Sequence, residues 1–125
     1  MTRLLGRYRE IFYAAMRIVL GFMYFCHGLQ KLFGWFGGVG GHTVPLRSIY
    51  GAAGLIELVL GAPIMVGLFT SWAAFVASGE MAAAYFISHL PRGPWPIVNG
   101  GEIAVAFCFA FLYIASTGSG KWSLS

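Results

Sequence analysis

The sequence predicts an all-α integral membrane protein, an antiparallel bundle of four helices, and three observations carry that prediction. Of 125 residues, 58% are hydrophobic and only 10% charged, and the mean hydropathy is +0.76, too apolar for an ordinary soluble domain. The apolar residues fall into four stretches of the length, about 20 residues, that a helix needs to cross a bilayer. The connections between them are short, so neighbouring helices run antiparallel. One domain over residues 1–125 is expected, with spans at about 11–33, 49–69, 72–89 and 99–115.

The first span, IFYAAMRIVLGFMYFCHGLQKLF, is broken only by Arg17, His27, Gln30 and Lys31. Arg3, Arg7 and Arg9 precede it as in a secretory signal, but the stretch is long and has no A-x-A cleavage site, so it is expected to stay as a helix. The loop GWFGGVGGHTVPLRS, with five glycines and Pro45, reads as irregular backbone at the membrane surface. The second span holds Glu57 as its one charge and Pro63 as an expected kink. Thr70 or Ser71 is placed to cap the third span, which contains Glu80 and ends at PRGPWP, because proline has no N–H donor and disfavours helix before it. Asn99, Gly100, Gly101 and Glu102 open the fourth.

For orientation, Arg3, Arg7, Arg9 and Lys121 lie at one side of such a bundle, against Lys31, Arg47 and Arg92 at the other. The cluster before the first helix places both termini in the cytoplasm. The net charge of +4 reports topology and lipid headgroups, and no nucleic-acid partner follows from it. Cys26 and Cys108 lie in apolar segments without a C-x-x-C pair, which argues against thiol chemistry.

The acids are the strongest chemical signal. The chain has no Asp, and Glu57, Glu80 and Glu102, three of its four Glu, lie inside the expected spans. An ionisable residue at mid-membrane costs about 2.5–3.5 kcal/mol, so these three and Arg17 together cost on the order of 10 kcal/mol. Such groups must face one another or water. Helical spacing agrees: Arg17, Gly21, Tyr24, Gly28 and Lys31 share a face with His27 at its edge, as do Gly54, Glu57 and Gly61. The corresponding rows are Ala73, Ala77, Glu80, Ala84 in the third span and Glu102, Ala106, Phe109, Tyr113 in the fourth. Small residues beside the acids allow close helix approach.

At about 1.5 Å of rise per residue, Glu57 and Glu80 fall near mid-membrane, His27, Glu102, His89 and Lys31 in the outer half and Arg17 in the inner half. One cavity opening outward is expected to gather Glu57 and Glu80, as proton-handling groups, with Arg17, Tyr24, His27, Lys31, Glu102 and His89 as ligand-binding groups. Arg17 and Lys31 against three Glu leave one negative charge in excess, so a histidine or one Glu must hold a proton.

Each of these residues also has a plainer role open to it. A buried pair of Arg17 with Glu57 or Glu80 can serve only to fix helix packing; Asn99-x-x-Glu102 has capping-box spacing; Lys31 can snorkel from a helix end. His27 and His89 at similar depth permit a bis-His haem or a mixed metal site. The Glu-x-x-His pair of di-iron bundles is missing and Lys31 opposes a cation, so no metal is expected. His42, in the glycine-rich loop, reads as solvated. The tail STGSGKWS is superficially similar to a phosphate loop, but Trp122 stands where Ser or Thr is required.

Taken together, RIVLGFMYFCHGLQKLFG (17–34), GLIELVLGAPIMVGLFTSWAA (54–74), the Glu80–Met81–Ala82 region, NGGE (99–102) and GSGKWSL (118–124) resemble the DoxX family of small four-helix bacterial membrane proteins. The family commonly ends in a Ser-Leu-Asp-like tail; here Ser125 stands in place of the Asp. The resemblance implies a bacterial plasma-membrane protein, some relatives being subunits of thiosulfate:quinone oxidoreductase or parts of oxidative-stress complexes.

Three functions then compete. The first is a membrane subunit of a quinone-linked oxidoreductase; the chain has no flavin fingerprint or Fe–S cysteines, so no intrinsic cofactor is expected and a redox partner protein must carry the electrons. The second is a non-enzymatic binding or transport module for a small solute, proton or lipid. The third is an assembly or scaffold subunit, alone or as a homo-oligomer.

Overall fold

A computed structural model describes residues 1–124; Ser125, and with it the tail position noted above, lies outside the described residues. The described chain is helical, without a β-strand, and its one extended feature is an isolated bridge between Val39 and His42. The elements are α1 (Thr2–Leu5), a 3₁₀ turn (Gly6–Tyr8), α2 (Arg9–Phe33), a second 3₁₀ turn (Trp35–Gly37), α3 (Ile49–Val66) and α4 (Thr70–Ala84). A π-helical turn (Tyr85–His89), a third 3₁₀ turn (Leu90–Arg92), α5 (Pro96–Asn99) and α6 (Glu102–Thr117) complete it.

The ends of these helices follow local chemistry. α2 stops where Gly34 adopts φ +73°, a conformation only glycine takes without strain, and its N–H bonds the Leu29 carbonyl. α3 starts at Ser48, whose side chain accepts from the Gly51 N–H at 3.1 Å. It continues through Pro63, whose carbonyl accepts from both Gly67 and Leu68, and ends at Val66, three residues short of the expected limit.

Two expected caps do not form. α4 begins after Phe69 with no side-chain cap, and the Thr70 hydroxyl instead accepts from Ser119 at 2.9 Å. α6 begins after Gly101, not at Asn99, so the Asn99–Glu102 capping box is absent. Asn99 is buried and accepts from the Gly101 N–H at 2.9 Å, which turns the chain into α6.

α2 packs along α3, and α4 along α6. The α2–α3 seam is a backbone contact: a Cβ added at Gly28 would stand 2.8 Å from the Gly54 carbonyl oxygen, and one at Gly61 2.8 Å from the Phe25 nitrogen. Such approach maximises dispersion contact between the two backbones. The two pairs meet through a core of Tyr24, Ile64, Ala74, Ala77, Phe107, Phe111 and Ile114. α2 buries the face the spacing gave it, Arg17, Gly21, Tyr24 and Gly28.

α6 does not bury the expected face. Its buried side is Ala104, Phe107, Phe111 and Ile114, whereas Glu102, Ala106, Phe109 and Tyr113 face outward. The helix is apolar all round, so its periodicity holds no contrast from which to choose a face. Large apolar side chains, among them Phe22, Val59, Trp72, Phe75 and Phe109, are exposed on the outer surface. Two helical stretches, Thr2–Phe33 and Ile49–Val66, are long and apolar enough to cross a membrane, and Glu102–Thr117 is a shorter apolar helix.

Candidate functional site

Between α2, α3 and α4 lies a cavity of about 920 Å³. Its walls are apolar and partly small: Ala52, Ala53 and Ile56 of α3 face Val76, Gly79 and Ala83 of α4, and Val39 and Val44 of the glycine-rich loop close one side. Polar groups stand on its floor and at its mouth. Lys31, in the last turn of α2, donates to both oxygens of Glu57, at 2.7 and 2.6 Å. The Glu57 side chain is fully buried and that of Lys31 is 19% exposed, so the ammonium forms the boundary between acid and cavity. An ion pair taken out of water is stable only with such saturated geometry.

Glu80 lines the cavity from α4. Tyr24, fully buried and edge-on to Phe107 and Phe111, donates its hydroxyl to Glu80 Oε1 at 2.8 Å. Glu80 is also an electrostatic neighbour of Glu57, and two such acids can bond each other only when the pair carries a proton, since two carboxylates are acceptors alone. The resulting series, Lys31, Glu57, Glu80 and Tyr24, spans three helices. His27 lines the same floor, edge-on to Phe107.

At the mouth, His89 and Arg92 join Tyr50 and Ser88, with Ser88 Oγ donating to the Tyr50 hydroxyl at 3.3 Å. His89 stacks on Tyr85, and its Nδ1 lies 3.2 Å from the Asn99 carbonyl. Asn99 in turn donates to the Gly93 carbonyl and the Tyr85 hydroxyl, so one buried amide sets the course of the 85–101 connection and the place of His89 and Arg92 on it. Among the described residues, no group of three or more His, Cys, Asp or Glu side chains is arranged to hold a metal ion.

Tyr24, His27, Lys31, Glu57, Glu80 and His89 are thus brought to one region, and two expected members are not. Arg17 lies 14 positions before Lys31 on the continuous helix α2, about 21 Å away, and serves the opposite end. It is fully buried, and its Nη2 donates to the carbonyls of Lys121 and Trp122 at 3.2 and 2.7 Å, not to Glu57 or Glu80. Glu102 projects outward from the first turn of α6 and does not line the cavity. His42 is exposed in the loop, as its sequence context suggests.

Gln30, Tyr50, Ser78, Ser88 and Arg92 also line the cavity and were not singled out by spacing. Gln30 and Arg92 were visible as polar residues in or beside apolar spans; the others become part of the site only through the way α3 and α4 meet.

The DoxX family model matches residues 12–90, a segment that includes Lys31, Glu57, Glu80 and His89. An uncharacterized protein of Haemophilus influenzae is 39% identical over 127 residues, covering 96% of this chain and 92% of its own length. No solved structure matches. The family match over more than half of the chain and the near full-length similarity to a bacterial relative lead to one identification: this protein belongs to the DoxX family.

Proposed function

We propose that the chain is the membrane subunit of a bacterial oxidoreductase system and that its cavity receives a lipid-soluble electron acceptor of the quinone class. In this reading residues 1–125 form one transmembrane domain, a four-helix bundle crossing the plasma membrane with both termini cytoplasmic. The exposed apolar belt and the two spanning-length helices support the membrane placement. The ties of Glu10 to Lys121 and of Leu124 N–H to the Val66 carbonyl, which hold both chain ends at one end of the molecule, support the common side of the termini.

The observation that carries the functional reading is an apolar cavity of about 920 Å³ with the Glu80 carboxyl in its lining and Glu57 buried behind Lys31. Small residues on the facing sides of α3 and α4 leave a slot through which a flat, apolar ring can enter from the bilayer. Reducing a quinone to its quinol takes two electrons and two protons. A partner redox protein supplies the electrons, and Glu80, backed by Glu57 and assisted by His27, supplies protons at the carbonyl oxygens. Lys31 aligns Glu57 through its two hydrogen bonds, while Tyr24 orients Glu80.

Gentle purification followed by mass spectrometry of bound small molecules tests this reading. A co-purifying quinone supports it, and a defined non-redox solute replaces it with the binding-module reading. Glu80→Gln keeps the size of the side chain and removes its acidic proton. The variant should insert and purify normally, yet lose quinone-linked activity by about 10²-fold, the scale of a lost general acid. Unchanged activity rules out proton transfer by Glu80. The scaffold reading draws its support from the saturated Lys31–Glu57 pair, and full activity of both Glu57→Gln and Glu80→Gln would select it.

A further inference from the structure

The N-terminal end has an opening of its own, separate from the cavity. A notch of about 460 Å³ is lined by Thr2, Leu5, Gly6, Arg9 and Phe12. Residue 6 has no side chain to fill it: a Cβ there would meet nothing within 4 Å. Leu4, Leu5 and Phe12 are 60%, 44% and 51% exposed, so the apolar surface is continuous from the notch to the outer face of α2.

Of the arginines in this segment, Arg9 lines the notch, and Arg3 and Arg7 are next in sequence to its lining residues Thr2 and Gly6. Arg3, Arg7 and Arg9 are all exposed, and none of them has a carboxylate partner among the described residues. Glu10, the acidic side chain of the segment, lies 3.6 Å from Lys121. Arg7 lies over the ring of Tyr8, with its carbon 6.0 Å from the ring centre, which draws that side chain along the surface. An apolar slot with a guanidinium at its lip and two more beside it complements an amphiphile whose head is an anion and whose body is a hydrocarbon chain. A free inorganic anion would leave the apolar walls without a partner, and a neutral or zwitterionic lipid would leave the arginines without net compensation.

We propose that this notch seats an anionic phospholipid, its phosphodiester on Arg9 with Arg3 and Arg7 beside it, and one acyl chain along Leu5 and Phe12. Basic groups at a membrane surface each add to the attraction for anionic lipid, and arginine meets phosphate with a two-pronged fork. The site is independent of the ligand in the cavity, which lies at the other end of α2.

Native mass spectrometry of the full chain, released from vesicles of equal phosphatidylglycerol and phosphatidylcholine, tests it. Retained phosphatidylglycerol should exceed phosphatidylcholine by about tenfold or more. Replacing Arg3, Arg7 and Arg9 together by Gln should bring the ratio close to one; all three are exposed, so folding is not at issue. Gly6→Leu fills the notch without changing charge and should cut retained phosphatidylglycerol at least severalfold. Equal retention of the two lipids by the natural chain overturns the proposal, as does undiminished enrichment in either variant.

Discussion

The two ends of the molecule handle buried charge in opposite ways. At the cavity end, Lys31 meets Glu57 through two short hydrogen bonds, and Glu80 joins them with Tyr24 as its donor. At the other end Arg17 is fully buried with no carboxylate partner among the described residues, and its Nη2 donates to main-chain carbonyls of the C-terminal tail. Around Arg17 the tail is held further by Tyr13, which donates to the Gly118 carbonyl at 2.6 Å, and by Leu124, whose N–H reaches the Val66 carbonyl at 3.0 Å. The first end has opposite charges, a cavity and protonatable groups; the second has a cation, carbonyl dipoles and close packing. The first end pairs its buried carboxylate with a cation and leaves room and acid for chemistry, whereas Arg17 Nε and Nη1 are buried without a hydrogen-bond partner among the described residues.

The pairing at the cavity end rests on Lys31. Lys31→Met strands the buried Glu57 carboxylate and should cost about 3–5 kcal/mol, read as a lower denaturation midpoint in detergent. Adding Glu57→Leu to the same chain should recover most of that loss, because an apolar pair of similar volume needs no compensation. A small effect of Lys31→Met alone would show that the ion pair is not what holds α2 to α3 at this end.

Arg17→Met tests the other end with a smaller expected loss. It removes the bonds to the Lys121 and Trp122 carbonyls but strands no acid among the described residues, so about 1–3 kcal/mol is expected. Hydrogen exchange should accelerate at the Leu124 amide while ligand binding in the cavity stays unchanged. A change in cavity binding would mean that the two ends are coupled, contrary to the division described here.

Glu102 lies outside both sites. Glu102 is exposed and has no side-chain cap bond, so its replacement by Gln should shift stability by no more than about 0.5 kcal/mol and leave the proposed quinone-linked activity unaltered. A large loss of activity would return this residue to the functional set.

Much of this was legible in the sequence, and the failures have physical causes. In α2 the buried row mixes Arg17 and Lys31 with Gly21 and Gly28, so polarity and size both mark the inward face. α6 lacks any such mark between Glu102 and Ser116, and its inward face is decided by Phe107 and Phe111 packing on Tyr24, a contact between residues more than 80 positions apart. The one-cavity expectation joined Arg17 to the acids because rows on a helix face repeat along its whole length. A face has two ends, and periodicity says nothing about which end a partner occupies. Asn99 read as a capping residue because its spacing to Glu102 fits; Gly100 at φ +75° and the bond to Gly101 take the chain through a tight bend before α6 begins.

The helices are also unequal in length. At about 1.5 Å per residue, the 18 residues of α3 and the 16 of α6 extend roughly 27 and 24 Å, against about 38 Å for the 25 of α2. In the proposed orientation the shorter helices set the thickness of hydrocarbon this protein matches, below the roughly 30 Å of a typical bilayer, and α2 must tilt or protrude. Because the Leu124 N–H to Val66 carbonyl bond fastens the chain after α6 to the end of α3, a thicker bilayer cannot be met by sliding those two helices apart. It must thin locally around the protein, at a cost of fractions of a kcal/mol per Å, which favours residence in thin, short-chain regions of the membrane.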